Sequence, residues 1–217
     1  MVRVLMAPDK FKGTLTAAEV ASHLATGLRS VCPEVDVHVV PVADGGDGTL
    51  AAAEAAGFAR TPVTASGPTG MPHGSAFGMR GTEAVVELAE ISGLAQLPEG
   101  RREPLSATSR GTGDLVAAAL DAGARRIVVG IGGSACTDGG AGLLEALGAR
   151  VTSAAGEPIP PGGAGLAQAA RLDLEGLHPA LADTELVVAC DVDNPLTGPR
   201  GAAAVDGPKK GADPHNI

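Results

Sequence analysis

Apolar residues first fall in a short unbroken run, then along one helical stripe, then in a second short run. Residues 2–8 read as a buried strand from their β-branched and apolar content. Thr16 and Glu19 form a capping box, with Leu15 and Val20 as its hydrophobic staple. Val20, Leu24, Leu28 and Val31 then mark one face of a helix. Residues 35–42 form a second strand, and residues 50–56 a short helix closed by Gly57. This βαβα opening predicts two parallel strands joined by a right-handed crossover.

The pattern then changes. Residues 58–80 hold short Val/Thr and Ala/Phe/Met segments separated by Gly-Pro and Pro-His-Gly, which predicts antiparallel strands. Residues 84–91 read as a helix, and residues 97–104, with Pro, Gly and paired arginines, as an exposed connector. The α/β alternation returns at Thr112. Helices are expected at 115–122 and 140–147, strands at 126–131, 151–153 and 185–189, and a Pro/Gly loop at 154–165.

Composition narrows the chemistry. The 217 residues suffice for one large domain or two small lobes, and 44% are apolar. Phe11, Phe58 and Phe77 are the only aromatics, so the core is aliphatic, with 32 glycines allowing close backbone approach. A net charge of −9 argues against a nucleic-acid footprint, but local lysines and helix N-termini can still attract small anions. Cys32, Cys136 and Cys190 have no CxxC spacing, as suits reduced thiols in a cytoplasm. The apolar run at the N-terminus is broken by Arg3 and is too short for a signal peptide or membrane span. The five histidines show no HxxxH or HExxH pairing, so a zinc site is not expected.

Five loops carry candidate chemistry. GIGGSACTDGGAG, at 130–142, follows a strand and opens a helix, where backbone N–H groups of a glycine-rich turn can meet phosphate oxygens. Ser134 and Thr137 add hydroxyl donors. The loop lacks the Lys-Ser/Thr of a P-loop, and the same glycines also suit a tight turn. PVADGGDGT, at 41–49, places Asp44 and Asp47 where they suit Mg²⁺, substrate hydroxyls or a helix cap. APDKFKGT, at 7–14, offers Lys10 and Lys12 beside a helix N-terminus. TSRGTGD, at 108–114, is another glycine-rich helix entry, with Arg110. CDVDNPL, at 190–196, puts Asp191 and Asp193 after a strand, as a base toward a hydroxyl, as Mg²⁺ ligands or as an Asx-Pro turn.

In this order, APDKFKGTLTA, PVADGGDGT, TSRGTGDL, GIGGSACTDGG and CDVDNPLTGPRGAAAV resemble the bacterial type-1 glycerate kinases. The resemblance implies ATP- and Mg²⁺-dependent phosphorylation of D-glycerate, usually at the 2-hydroxyl. It implies an α/β fold of two lobes, one with a flavodoxin- or Rossmann-like parallel sheet and a smaller one of mixed α/β structure, about residues 1–60 and 61–217. By that resemblance Gly132, Gly133, Ser134, Asp138, Gly139 and Gly140 contact phosphate. Asp191 and Asp193 hold Mg²⁺ or the hydroxyl proton, Asp44 and Asp47 face the substrate, and Lys12 holds the glycerate carboxylate.

Two departures qualify it. The family's usual VFGPQKGA reads VDGPKKGA here, with Asp206 for an aromatic and Lys209 for a glutamine. The resemblance also covers only a little over half the family's length, without its later Gly-rich and acidic motifs. Uncovered apolar surface around Val128, Ile131 and Val187, self-association and weak turnover are therefore expected, with no nucleic-acid or membrane partner.

Overall fold

The computed structural model describes residues 2–11 and 13–217. Strands β1 (Arg3–Met6) and β2 (Asp36–Val39) pair in parallel, with Val4 opposite Val37, and helix α1 (Ala17–Val31) connects them. Both halves of the capping box form. The Glu19 N–H donates to Thr16 Oγ1 at 3.2 Å, and the Thr16 N–H donates to the Glu19 carboxylate at 2.8 Å. The predicted apolar stripe is only partly used. Val20, Ala21 and Ala25 are buried, whereas Leu24 is 53% and Val31 85% exposed. A sheet of two strands is too narrow to cover a full helical stripe.

After α2 (Thr49–Ala55), the chain enters a five-stranded sheet. Its order is β3 (Ala59–Ser66), β4 (Pro72–Arg80), β5 (Glu83–Glu87), β6 (Arg126–Gly130) and β9 (Glu185–Ala189). The first three strands are antiparallel, and β5, β6 and β9 are parallel. Of residues 84–91, expected as a helix, the first half is instead strand β5, and only the end is helical, as one turn, α3 (Ala89–Ser92). Ala84 and Val85 pair with β4 on one side and β6 on the other. A short apolar run buried on both faces has no periodicity to separate strand from helix, and partners on both sides decide it.

Helix α4 (Arg110–Asp121) starts five residues before the expected boundary and lies over the sheet beside α5 (Ala141–Ala146). A Cβ on Gly113 would stand 2.4 Å from the Leu143 carbonyl oxygen, so glycine is what lets the two helices approach. Phe77, Val86, Ile91, Leu115, Val116 and Ile127 are at most 1% exposed and centre the core. Each such aliphatic contributes ~1.5–3 kcal/mol by leaving water.

Strands β7 (Arg150–Thr152) and β8 (Arg171–Asp173) form a separate antiparallel pair, and α6 (Ala202–Asp206) follows the main sheet. Strand β8 carries no period in sequence, being three exposed residues held by their register with β7. At the β9 edge Leu186 and Val188, the neighbours of Val187, are exposed, while Val128, Ile131 and Val187 are half-buried. No helix among the described residues is long and apolar enough to cross a membrane.

Candidate functional site

Three loops meet backbone to backbone at the carboxyl ends of the parallel strands, the usual ligand position in open α/β sheets. The Gly132 N–H donates to the Gly45 carbonyl at 2.9 Å, and the Ile131 N–H donates to the Ala189 carbonyl at 3.3 Å. A Cβ on Gly132 would lie 2.7 Å from Gly46 Cα, and one on Gly45 would lie 2.6 Å from Ala189 O. The contact therefore excludes side chains, and Gly45 also needs its φ of +88°. Asp47 reaches the same place, since a Cβ on Gly133 would sit 3.4 Å from both its carboxylate oxygens.

Buried carboxylates hold these loops. Asp138 is 2% exposed. The Ser109 N–H, Ser109 Oγ, Thr108 Oγ1 and the Gly142 N–H converge on its Oδ2 at 2.8–3.3 Å, and the Gly140 N–H reaches Oδ1 at 3.2 Å. It thus ties together the glycine-rich entries of α4 and α5. Glu87, at the end of β5, accepts from the Gly48 N–H at 3.0 Å and the Leu50 N–H at 2.7 Å. It caps α2, whose N-cap Gly48 has no side chain to do so. Burial pushes the Glu87 carboxyl above its ordinary range. Asp44 accepts from the Gly46 N–H at 2.9 Å and from Lys10 Nζ at 3.2 Å, and these contacts hold its carboxyl below the usual range despite partial burial. Lys10 also pairs with Asp9.

Glu87 and the tying role of Asp138 escape sequence reasoning, because their partners lie 29–39 residues away. So does Lys210, whose Nζ donates to Ser134 Oγ at 2.6 Å and to the Cys136 carbonyl at 2.7 Å. The paired lysines in GPKKGA are the only local signal for it. Burial first, and Asp138 second, push the Cys136 thiol to about 12, so it is protonated and inert at neutral pH.

Gly132, Gly133, Ser134, Gly139 and Gly140 lie along one loop between β6 and α5, with Gly133 and Gly139 exposed. Asp191 and Asp193 are exposed on the irregular segment just after β9. Arg110 is exposed at the start of α4. Lys12 lies outside the described residues. Among the described residues no three His, Cys, Asp or Glu side chains converge on one point. A cleft of about 710 Å³ opens between residues 9–11 and 13–19 on one side and α2 on the other, lined among others by Lys10, Phe11, Leu15, Asp47, Ala52 and Ala95. Asp47 therefore stands between that cleft and the Gly133 turn.

A sequence model of the glycerate kinase family matches residues 4–217. The chain belongs to the glycerate kinase family. It is 50% identical over 214 residues to the glycerate kinase of Bacillus subtilis (strain 168), covering 97% of this chain and 56% of that one. With the glycerate 2-kinase of Escherichia coli (strain K12) it shares 44% identity over 214 residues, again covering 97% and 56%. A solved structure from Salmonella typhimurium LT2, assigned as a glycerate kinase 2, superposes with a TM-score of 0.86 at 46% identity, covering 99% of this chain and 58% of that one. The chain thus spans a little over half the length of these relatives.

Proposed function

We propose that this glycerate kinase family member takes part in ATP-dependent phosphorylation of D-glycerate to 2-phosphoglycerate in the cytoplasm. The observation that carries the reading is the Gly132–Gly45 backbone junction, which sets an open glycine-rich turn against an acidic loop beside a cleft. Phosphoryl transfer depends on positioning and charge neutralisation more than on covalent steps by the protein. In this scheme Gly133, Ser134 and Gly139 present N–H and hydroxyl donors to phosphate, while Gly132 and Gly140, whose N–H groups are taken by Gly45 and Asp138, fix the path of the loop. Asp138, already saturated by donors of the protein, shapes that turn from behind.

The donor set suits Mg²⁺. That ion is held by one or two carboxylates, with waters and substrate phosphates completing its shell, and exposed Asp191 and Asp193 can supply such a pair. Bound Mg²⁺ would neutralise charge developing on the phosphates. Either aspartate can alternatively accept the glycerate hydroxyl proton. Asp47, exposed at the cleft, is placed for a substrate hydroxyl, whereas Asp44 acts through its ion pair with Lys10. The same scheme divides the chain near residue 60, where it passes from α2 to β3, into a lobe bearing the β1–β2 sheet and one bearing the main sheet.

The test is D-glycerate-dependent ADP release, with ³¹P NMR identifying the phosphorylated carbon. Product at the 2-hydroxyl supports the reading. Release with a different hydroxy acid but not with glycerate overturns the substrate, and nucleotide binding without release overturns catalysis by this chain.

A further inference from the structure

We propose that Lys210 is the cation a phosphate group meets on the glycine-rich turn after β6, its ammonium donating to a phosphate oxygen from beside Ser134. This rests on the phosphate reading of that turn and adds a residue to it from a separate part of the chain.

Lys210 ends a 3-10 turn (Pro208–Lys210) behind α6 and reaches 76 residues back to Ser134. Its Nζ carries three N–H donors, of which Ser134 Oγ and the Cys136 carbonyl take two, at 2.6 and 2.7 Å. Both acceptors are neutral. Among the described residues no carboxylate lies within ion-pairing distance of it. Asp206, on the same segment, pairs with Lys209 at 3.0 Å instead. The Asp138 carboxylate is occupied by its own five donors. The Cys136 thiol stays protonated to about 12 and provides no counter-charge.

A half-buried ammonium held between two neutral oxygens is costly unless an anion completes it. Burial lowers its pKa accordingly. The segment is firmly seated, because the backbone at Gly211 packs so closely on Arg102 that a Cβ there would lie 2.4 Å from Arg102 Cβ. An ammonium is a compact point charge that suits a phosphate oxygen without demanding bidentate geometry. An arriving phosphate would fill the third donor and supply the direct ion pair that Asp206 and Asp138, which act on Lys210 only from beyond ion-pairing distance, do not make. Bound anion should therefore raise the Lys210 pKa, and the affinity should fall as pH rises through the free-state value.

The test uses the 217-residue chain with tripolyphosphate as the probe. NMR follows the amides of residues 132–140, which report occupancy of the turn, and the Lys210 side-chain titration, assigned by its loss in Lys210→Arg. The expected result is a rise in the Lys210 midpoint on adding tripolyphosphate. Lys210→Met should also lose about tenfold or more in affinity, while its free-state loop amides outside residues 134–137, which lose the Lys210 hydrogen bonds, keep wild-type shifts. Lys210→Arg should keep part of the affinity. Loop amides that respond to the probe while the Lys210 midpoint stays fixed would overturn the role of Lys210 alone. Equal affinity in Lys210→Met would do the same. Loop amides that do not respond at all would overturn the phosphate reading of the turn and this proposal with it. Should Lys210→Met fail to fold, the wild-type titration decides.

Discussion

Replacing Asp138 with asparagine tests whether one buried carboxylate holds the glycine-rich loops in place. Four donors converge on Oδ2, so the amide oxygen of Asp138→Asn must take that position. The NH₂ group is then left facing the Gly140 N–H, where the wild type has an accepted bond of 3.2 Å. One bond becomes a donor–donor contact, and four charge-assisted bonds become neutral ones. Hydrogen bonds to a charged group are worth ~1.5–3 kcal/mol and neutral ones ~0.5–1.5. Relief of burying a charge acts in the other direction. Allowing for non-additivity, the net loss should be about 3 kcal/mol. At ~2–4 °C per kcal/mol for a chain of this size, Tm should fall by ~6–12 °C. Circular-dichroism melts measure this directly, and amide exchange at Ser109 should accelerate in parallel. An asparagine variant that melts within ~1 °C of wild type would refute the assigned role.

Four further outcomes follow from the same contacts. The folded-state pKa of Glu87 lies above its ordinary 4.5, so stability falls as pH rises from 4.5 through the raised value; in Glu87→Gln this part of the pH slope should vanish in urea melts, and an unchanged slope would contradict it. Gly132→Ala forces a Cβ to within 2.7 Å of the Gly46 backbone, which should cost ~1–3 kcal/mol of stability in urea melts and separate the two loops. Of the three thiols, Cys32 and Cys190 should react promptly with a disulfide reagent while Cys136 reacts only on unfolding, so three fast thiols would be the wrong count. Exposed Leu186 and Val188 on the β9 edge should drive concentration-dependent association, measurable by light scattering and reduced in Val188→Lys.

Where a feature rests on neighbours in sequence, the sequence by itself determined it. The Thr16–Glu19 capping box joins residues three positions apart and forms as read. The β1–α1–β2 crossover and the antiparallel β3–β4 pair follow from local period and turn residues and appear where expected, although β1 and β2 stop two and three residues short of their expected ends. The ordered loop motifs were likewise enough to name the family.

Only the tertiary structure decided what depends on distant partners. Residues 84–87 became a strand because β4 and β6 flank them, a fact absent from their own apolar run. The α1 stripe kept Leu24 and Val31 exposed because two strands cannot cover it. Gly48 offers α2 no cap, and the carboxylate of Glu87, 39 residues on, supplies it. Asp138 reads locally as one more polar residue in a phosphate loop, yet its carboxylate is turned inward onto Thr108 and Ser109. Hydrogen bonds and charge act through space, so a chain can display its loops in order while leaving to the fold which carboxylate faces a ligand and which holds the scaffold.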